Sequence, residues 1–388
     1  MGFDLNFESA FTRSYYKKVL QYWIREFGVD GYRIDLSKGL TQNSTLGDIA
    51  AWGRLDPSRV AILLDLQAAA KEADPGVFLI LEHFADNEEE KLLASKGFLL
   101  WGNSSFDHGL AVEGKVESDF DWAYFKNRTW AQSSLVSYME SHDEERIVAR
   151  ARENGLSSGT YDVKNPGTAF ERSKLAALFL FGIPGPKMMW QFGEWGDGRA
   201  KGITAEERMA RKPLPDEWRR DPARIRVWNT YAGLLNFRGQ NATAFKDGAY
   251  TWKPDGAVRN WKLAHASMNA YAVGNFGITS SKATLGLAAG TWYSYFSREK
   301  FTLAAPAEIT LQPGEFHLFV DRPVFAGTAG LTDFSVPKSL NPEAVTVHVR
   351  TQAGSKVEAG RLRLIRNANT GPRAIDKRGA VRDLSGRR

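Results

Sequence analysis

An α/β fold built of parallel βαβ units, followed by an antiparallel β domain, is predicted by three features of this 388-residue sequence. Helix-period segments alternate with short apolar runs over roughly the first 240 residues, the pattern of parallel strands joined by crossover helices. Several of those runs end in ionisable residues, and in parallel α/β folds chemistry sits at the carboxyl ends of the strands. From about residue 240 the pattern changes to short β-like runs separated by Gly, Asn and Pro.

The elements follow in order. The opening MGFDLNFESAFTRSYY has no basic region followed by an apolar core, so it is not a signal peptide and reads like the middle of a protein. Residues 14–27 place Tyr16, Val19, Leu20, Trp23, Ile24 and Phe27 at helical spacing, with Gly28 as the stop. GYRIDLSK (31–38) is a short strand pattern that ends in charge. A helix over 58–73 turns through ADPG into VFLILE (77–82), an apolar run closed by a carboxylate. FLLW (98–101) leads into an expected loop of about twenty residues rich in Asp, Gly and Ser. SLVSYMESHD (134–143) is again a strand with a polar end. A helix at 170–181 precedes PGPKMMWQFGEWG (184–196), and an Arg-rich helix follows at about 221–237. AYTW, VRNWKLA, NAYAVGNF, GTWYSYF, AEITL and EFHLFVD make up the β domain. Three regions result: 1–238, 239–323 and a basic, poorly ordered tail at 324–388.

Composition narrows the function. Hydrophobic residues at 43% and charged residues at 25% are ordinary for a globular chain, and twelve Trp, twelve Tyr and 23 Phe exclude a disordered one. No apolar run is long enough for a membrane span. With no cysteine, the chain has neither disulfides, thiolate-bound metals nor thiol catalysis. The net charge of +6 suggests nucleic acid, but from Ala326 onward there are twelve Lys and Arg against five Asp and Glu. The rest of the chain is therefore nearly neutral. From Ala326 onward Phe334 is the only Phe, Tyr or Trp, which leaves almost nothing for bases to stack on, so no nucleic-acid partner is expected.

Three acids, Asp35, Glu82 and Asp143, close three candidate strands. Hydrolysis of a glycosidic bond with retention needs one ionised carboxylate as nucleophile and one protonated carboxyl as acid. A third can stabilise the positive charge that develops on the sugar ring. Arg33, two residues before Asp35, points to the same strand face and favours its ionised form. Glu82 follows five apolar residues, a setting that raises a carboxyl pKa. His142 beside Asp143 supplies a hydrogen-bond donor. Taken singly, Asp35 reads more readily as a helix cap or surface turn with Arg33 as a simple ion-pair partner, Glu82 equally as an exposed strand end, and the His142–Asp143 pair more readily as structural; the conjunction on successive strand ends changes the odds. Six scattered His without HExxH spacing give little support to a metal centre.

These segments resemble a known family. GYRIDLSK is similar to the fourth-strand motif of the α-amylase superfamily, glycoside hydrolase family 13, a Gly-x-Arg-x-Asp followed three residues later by Lys. ILEHF resembles its fifth-strand motif, MESHDEERI its seventh, and GIPGPKMMWQFGEWG its eighth-strand segment, with Gly182, Pro184, Gly193 and Glu194 in place. FDLN near the start is similar to the motif closing the family's inserted B domain. The resemblance covers about residues 2–323. It implies a partial (β/α)8 TIM barrel, strands four to eight, followed by a C-terminal antiparallel β-sandwich. It further implies Asp35 as nucleophile, Arg33 as its partner, Glu82 as acid/base and Asp143 as transition-state stabiliser. Lys38 and His142 become substrate contacts, and Trp101 and Asn103, after the sixth strand, the better candidates for sugar binding beside Trp190 and Trp195.

The implied activity is that of a retaining α-glucan hydrolase acting on α-1,4 linkages of a glucan or malto-oligosaccharide. Alternatives are a transglycosylase or debranching enzyme with the same carboxylates, or a non-catalytic carbohydrate-binding remnant. No cofactor is needed for the chemistry. Many relatives hold a structural calcium at the B-domain junction, so the resemblance allows one in a full-length protein. Relatives with such a C-terminal domain are often exported, which favours a secreted or periplasmic parent. Two departures stand out: Gly39 follows Lys38 where many members carry His, and the third-strand motif is absent. A closed barrel takes about 250 residues and eight strands. The expectation is an N-terminally truncated chain with raw sheet edges, aggregation-prone and inactive by itself.

Overall fold

A four-stranded parallel sheet carries the first half of the chain: β1 (Gly31–Ile34), β2 (Phe78–Leu81), β3 (Leu99–Asn103) and β4 (Leu135–Tyr138), in that spatial order. This computed structural model describes residues 5–45, 47–304 and 306–324, and the backbone of two short paired strands, Arg373–Ile375 and Val381–Asp383. The basic tail and the Phe3–Asp4 half of FDLN otherwise lie outside the described residues.

The connections are helical. α1 (Ala10–Phe27) leads into β1, and Gly28, in the left-handed region at φ 63°, donates its N–H to the Ile24 carbonyl and ends the helix. α2 (Ile49–Gly53) and α3 (Pro57–Ala73) join β1 to β2, with Pro57 in the first turn and the Asp56 carboxylate capping the Ser58 and Arg59 N–H groups. α4 (Asn87–Ser95) joins β2 to β3. The segment after β3, expected as a loop, contains α5 (Ser105–Glu113). Its start is fixed by the Asn103 side-chain oxygen, which accepts from the Ser105 N–H and hydroxyl at 2.9 and 2.7 Å. α6 (Ile147–Asn154), a two-residue hairpin of β5 (Ser157–Ser158) with β6 (Tyr161–Asp162), and α7 (Pro166–Gly182) follow β4.

The eighth-strand segment is not a regular strand. It meets β4 only around Lys187, with Ser137 N–H donating to the Pro186 carbonyl at 3.3 Å and Met188 N–H to the Ser137 carbonyl at 3.1 Å. Pro184 and Pro186 lack the N–H groups a ladder would require. Beyond it come α8 (Ala205–Met209), α9 (Pro222–Gln240) and α10 (Ala242–Asp247). Burial grades across the sheet: every β4 residue is buried, whereas all four β1 residues stay half-exposed. Parallel strands are ordinarily covered on both faces, so the β1 side is the uncovered side of this partial barrel.

The C-terminal domain is antiparallel: β7 (Ala249–Lys253), β8 (Val258–His265), β9 (Met268–Asn275), β10 (Ser281–Thr284), β11 (Gly290–Ser294), β12 (Lys300–Leu303), β13 (Glu308–Leu311) and β14 (Phe316–Val320). One sheet has the order β12-β11-β14-β9-β8-β7, and β10 pairs with β13. Alternation sorts the two faces. Ala270 and Ala272 of β9, with Phe316 and Leu318 of β14, join the barrel's own core, while Tyr271, Val273 and Phe319 pack with Ile309 and Leu311 of β13. Buried Arg172 of α7 ties the layers: its guanidinium donates to the Ala111 and Val112 carbonyls at 2.6 and 2.5 Å, and to those of Phe276 and Gly277 at 2.5 and 3.1 Å.

Candidate active site

The site assembles where β1, β2 and β4 end. Arg33 and Asp35 sit two residues apart at the end of β1, and an Arg33 guanidinium nitrogen lies 2.5 Å from Asp35 Oδ1. Its other terminal nitrogen is 2.6 Å from Glu82 Oε2, at the end of the neighbouring strand. The parallel register, Arg33 beside Ile80 and Ile34 beside Leu81, brings the two strand ends level. Leu36, just after Asp35, adopts φ 40°, a left-handed conformation unusual for a leucine. That turn aims its N–H at Glu82 Oε2, 2.9 Å away. Phe84 (φ 50°) and Phe192 (φ 66°) adopt the same region in the segments after β2 and before Gly193, so backbone strain gathers at this rim.

The two carboxyls differ in environment. Asp35 is open, its side chain 77% exposed, whereas Glu82 is buried. Burial pushes the Glu82 carboxyl above its ordinary value; the Leu36 N–H and the Arg33 charge pull it back, and the Asp35 carboxylate raises it again.

Trp101 connects this pair to the other acid. The Arg33 guanidinium carbon stands 4.3 Å over the Trp101 ring, which meets Tyr138 edge-on at 5.0 Å and His142 at 6.0 Å. His142 Nε2 is 3.1 Å from Asp143 Oδ2, and its ring lies 6.1 Å from that of Trp190. Burial holds the Tyr138 hydroxyl well above its usual range, and the charges of Glu144, Glu82 and Asp143 add to this.

Several expected substrate contacts are placed differently. Trp101, expected as a stacking face, is only 7% exposed and has Arg33 over its ring; it is the floor beneath the site. Asn103, expected to meet sugar, spends its oxygen on the start of α5 and donates its amide to Glu144 Oε1 at 2.5 Å. Lys38 donates to the Phe84 carbonyl at 3.0 Å and lies 4.4 Å over the Trp52 ring; burial first, and then the Arg59 charge, lower its pKa. Trp195 pairs with Trp228 at 6.0 Å. Among the described residues no group of three or more His, Asp or Glu side chains is placed to hold a metal ion.

A buried polar network behind Glu82 escaped sequence reasoning. His83 Nδ1 lies 2.8 Å from the Ser37 hydroxyl, and its Nε2 lies 2.7 Å from Glu89 Oε1. Glu89 accepts both Arg59 Nε and NH2 at 2.7 Å, a fully buried bidentate pair. Ser37 returns its N–H to the Glu82 carbonyl at 2.8 Å. This brace fixes the strand end that carries Glu82; the only signal in the sequence was the polar His83 after an apolar run.

No curated protein sequence matches the chain. Among solved structures, the α-amylase from Geobacillus thermoleovorans, complexed with acarbose, superposes with a TM-score of 0.61 at 16% identity, over 82% of this chain and 66% of its own. An Anoxybacillus α-amylase gives 0.62 at 17% identity, over 82% and 64%. The type III pullulan hydrolase from Thermococcus kodakarensis gives 0.57 at 20% identity, over 82% and 50%. The chain thus spans about two thirds or less of the structures it matches, and these likenesses carry the fold. The family model of the alpha-amylase catalytic domain matches residues 2–238, which contain every acid described above. With more than half its length under that model, the chain belongs to the α-amylase family.

Proposed function

We propose that this catalytic architecture hydrolyses α-1,4-glucosidic bonds of an α-glucan or malto-oligosaccharide with retention. The observation that carries the reading is the single Arg33 guanidinium shared by Asp35 and Glu82 at adjacent strand ends. Exposed Asp35, paired with Arg33, attacks the anomeric carbon as Glu82 gives its proton to the departing glycosidic oxygen. The C–O bond to the leaving sugar breaks while a bond to Asp35 forms. Glu82, now ionised, then takes a proton from water, which displaces Asp35 at the same carbon. The Leu36 N–H and Arg33 engage Glu82 Oε2, which leaves the other oxygen for the transferable proton. Asp143, steadied by His142, contributes negative charge to the oxocarbenium-like transition state. Similar structures solved with acarbose, maltose and maltotriose support an oligosaccharide ligand.

The test is release of reducing sugar from soluble starch and maltoheptaose by a version of the chain with the expected first three barrel strands restored, with the product anomer followed by proton NMR. Asp35→Asn is expected to remove about 10³-fold or more of the rate. An unchanged rate in that variant, or a β-anomeric first product, would exclude the double displacement.

A further inference from the structure

Asp143 stands in neither a strand nor a helix: β4 ends at Tyr138 and α6 starts at Ile147. Its side chain is 56% exposed and pairs with His142. The direction of its carboxylate therefore depends on how the bend at 141–145 is held. One side is held from β3. The Asp143 N–H donates to the Ser141 hydroxyl at 3.1 Å, and that hydroxyl donates to Glu144 Oε2, whose other oxygen accepts the Asn103 amide. The other side is held by the loop that follows the eighth-strand segment. Lys201 Nζ donates to the Asp143 carbonyl, and the Lys201 main-chain N–H donates to Glu145 Oε1 and Oε2 at 3.0 and 3.2 Å. Glu145 Oε1 also accepts the Arg146 N–H at 2.9 Å.

The loop is shaped to present this lysine. Fully buried Asp197 pairs with Arg146 at 3.2 Å and with Arg199 at 2.7 Å, and Arg199 donates to the Pro213 carbonyl at 2.9 Å. Immediately after Lys201, Gly202 takes φ 99°, and a Cβ there would stand 2.5 Å from the Glu207 Cβ. Glu207 folds back to accept the Ile203 and Thr204 N–H groups at 2.7 and 3.0 Å. A surface lysine ordinarily gains little from one hydrogen bond, because its long side chain loses rotamer freedom. Here the backbone of Lys201 is fixed beside its target, which lowers that cost.

We propose that Lys201 is a positioning residue for Asp143. It holds the Asp143 carbonyl through Nζ and the Glu145 carboxylate through its own N–H, and so fixes the peptide that aims the Asp143 carboxylate. The role rests on the reading of Asp143 as the acid that stabilises the transition state, and it needs no contact between Lys201 and sugar.

The test uses the strand-restored chain of the activity assay. The His142 ring is the reporter of placement. It lies 3.1 Å from Asp143 Oδ2, and its centre is 6.0 and 6.1 Å from the rings of Trp101 and Trp190. Its Hε1 resonance, assigned by its loss in His142→Gln, is expected to move in Lys201→Met and to return in Lys201→Arg, which keeps a cationic donor. In Lys201→Met kcat should fall about tenfold with KM unchanged, the signature of an interaction made in the transition state, and Lys201→Arg should recover it. The thermal melt should not change, since Lys201 is half-buried in a loop. An unmoved His142 resonance, a loss confined to KM, or a loss that Lys201→Arg leaves unrepaired overturns the proposal. If the parent releases no reducing sugar, the hydrolytic reading fails by itself, and the His142 resonance still decides whether Lys201 places the bend.

Discussion

Arg33 holds Glu82 and Asp35 on separate nitrogens of one guanidinium, 2.6 Å from the first and 2.5 Å from the second. Two carboxyls so close would otherwise repel, and each would resist ionisation. Arg33→Lys keeps one charge but cannot span both partners. The expected outcome is a loss of about 10²-fold in kcat, the scale of a misplaced catalytic group. The Glu82 pKa should move further upward, since a lowering influence is weakened, so the alkaline limb of the pH–rate profile should shift to higher pH. Carbon-13 NMR of the Glu82 carboxyl would register the same shift without turnover.

Glu82 is expected to be costly to stability in the form that ionises. Its folded pKa is raised, chiefly by burial, so the folded state holds its proton more tightly than the unfolded chain. That contribution is present at low pH and is lost as pH rises through the folded pKa. Glu82→Gln retains an acceptor for the Leu36 N–H and carries no charge. It should raise Tm above neutrality, leave Tm nearly unchanged in acid, and abolish turnover, the trade of an active site against stability. Calorimetry at pH 5 and pH 8 checks the sign.

Glu140 offers a larger effect of the same sign at a position with no expected role in turnover. It is buried two residues before His142, and its Oε1 accepts the Ile147 N–H at 2.8 Å at the start of α6. Burial pushes its pKa up to about 7, against the pull of Arg146 and the Ile147 N–H, while Asp197 and Glu194 add to the rise. Stability from this group is full below the ordinary carboxyl range and falls away as pH climbs through about 7. The difference between the two ends is on the order of 3 kcal/mol. Glu140→Gln should flatten the fall of Tm between pH 5 and pH 8 and leave Tm higher at the alkaline end.

Legibility in the sequence followed the range of the interactions. The apolar runs at Gly31–Ile34, Phe78–Leu81 and Leu135–Tyr138 announced strands because their pattern is local, and the acids at their ends were visible as breaks in those runs. The run through Pro184 and Pro186 was apolar too, but missing N–H donors reduced it to one bridge, a limit that hydrophobicity does not report. Asn103 looked available for sugar until the fold showed it fixing the start of α5. The bonds His83 makes to Ser37 and Glu89, and those Arg59 makes to Glu89, depend on four separate segments meeting, and no spacing in the chain encodes them. Left-handed Leu36 was equally hidden, since leucine ordinarily avoids that conformation.

The junction between barrel and β domain turns on Gly182 and Trp261. Gly182 ends α7, and a Cβ placed there would fall well inside contact distance of the Trp261 indole nitrogen. Trp261, fully buried in β8, donates that N–H to the Leu178 carbonyl at 3.3 Å, so the ring cannot withdraw without losing the bond. Gly182→Ala is therefore expected to destabilise by about 1–3 kcal/mol through overpacking. Trp261→Phe removes the crowded atoms and the donor together and should cost about 1–3 kcal/mol alone, from the cavity and the unpaired carbonyl. Combined, the two changes should cost less than their sum, because the added methyl fills space that the indole has left. A double-mutant cycle by urea unfolding measures this, and strict additivity would show that the helix end and the indole do not press on each other.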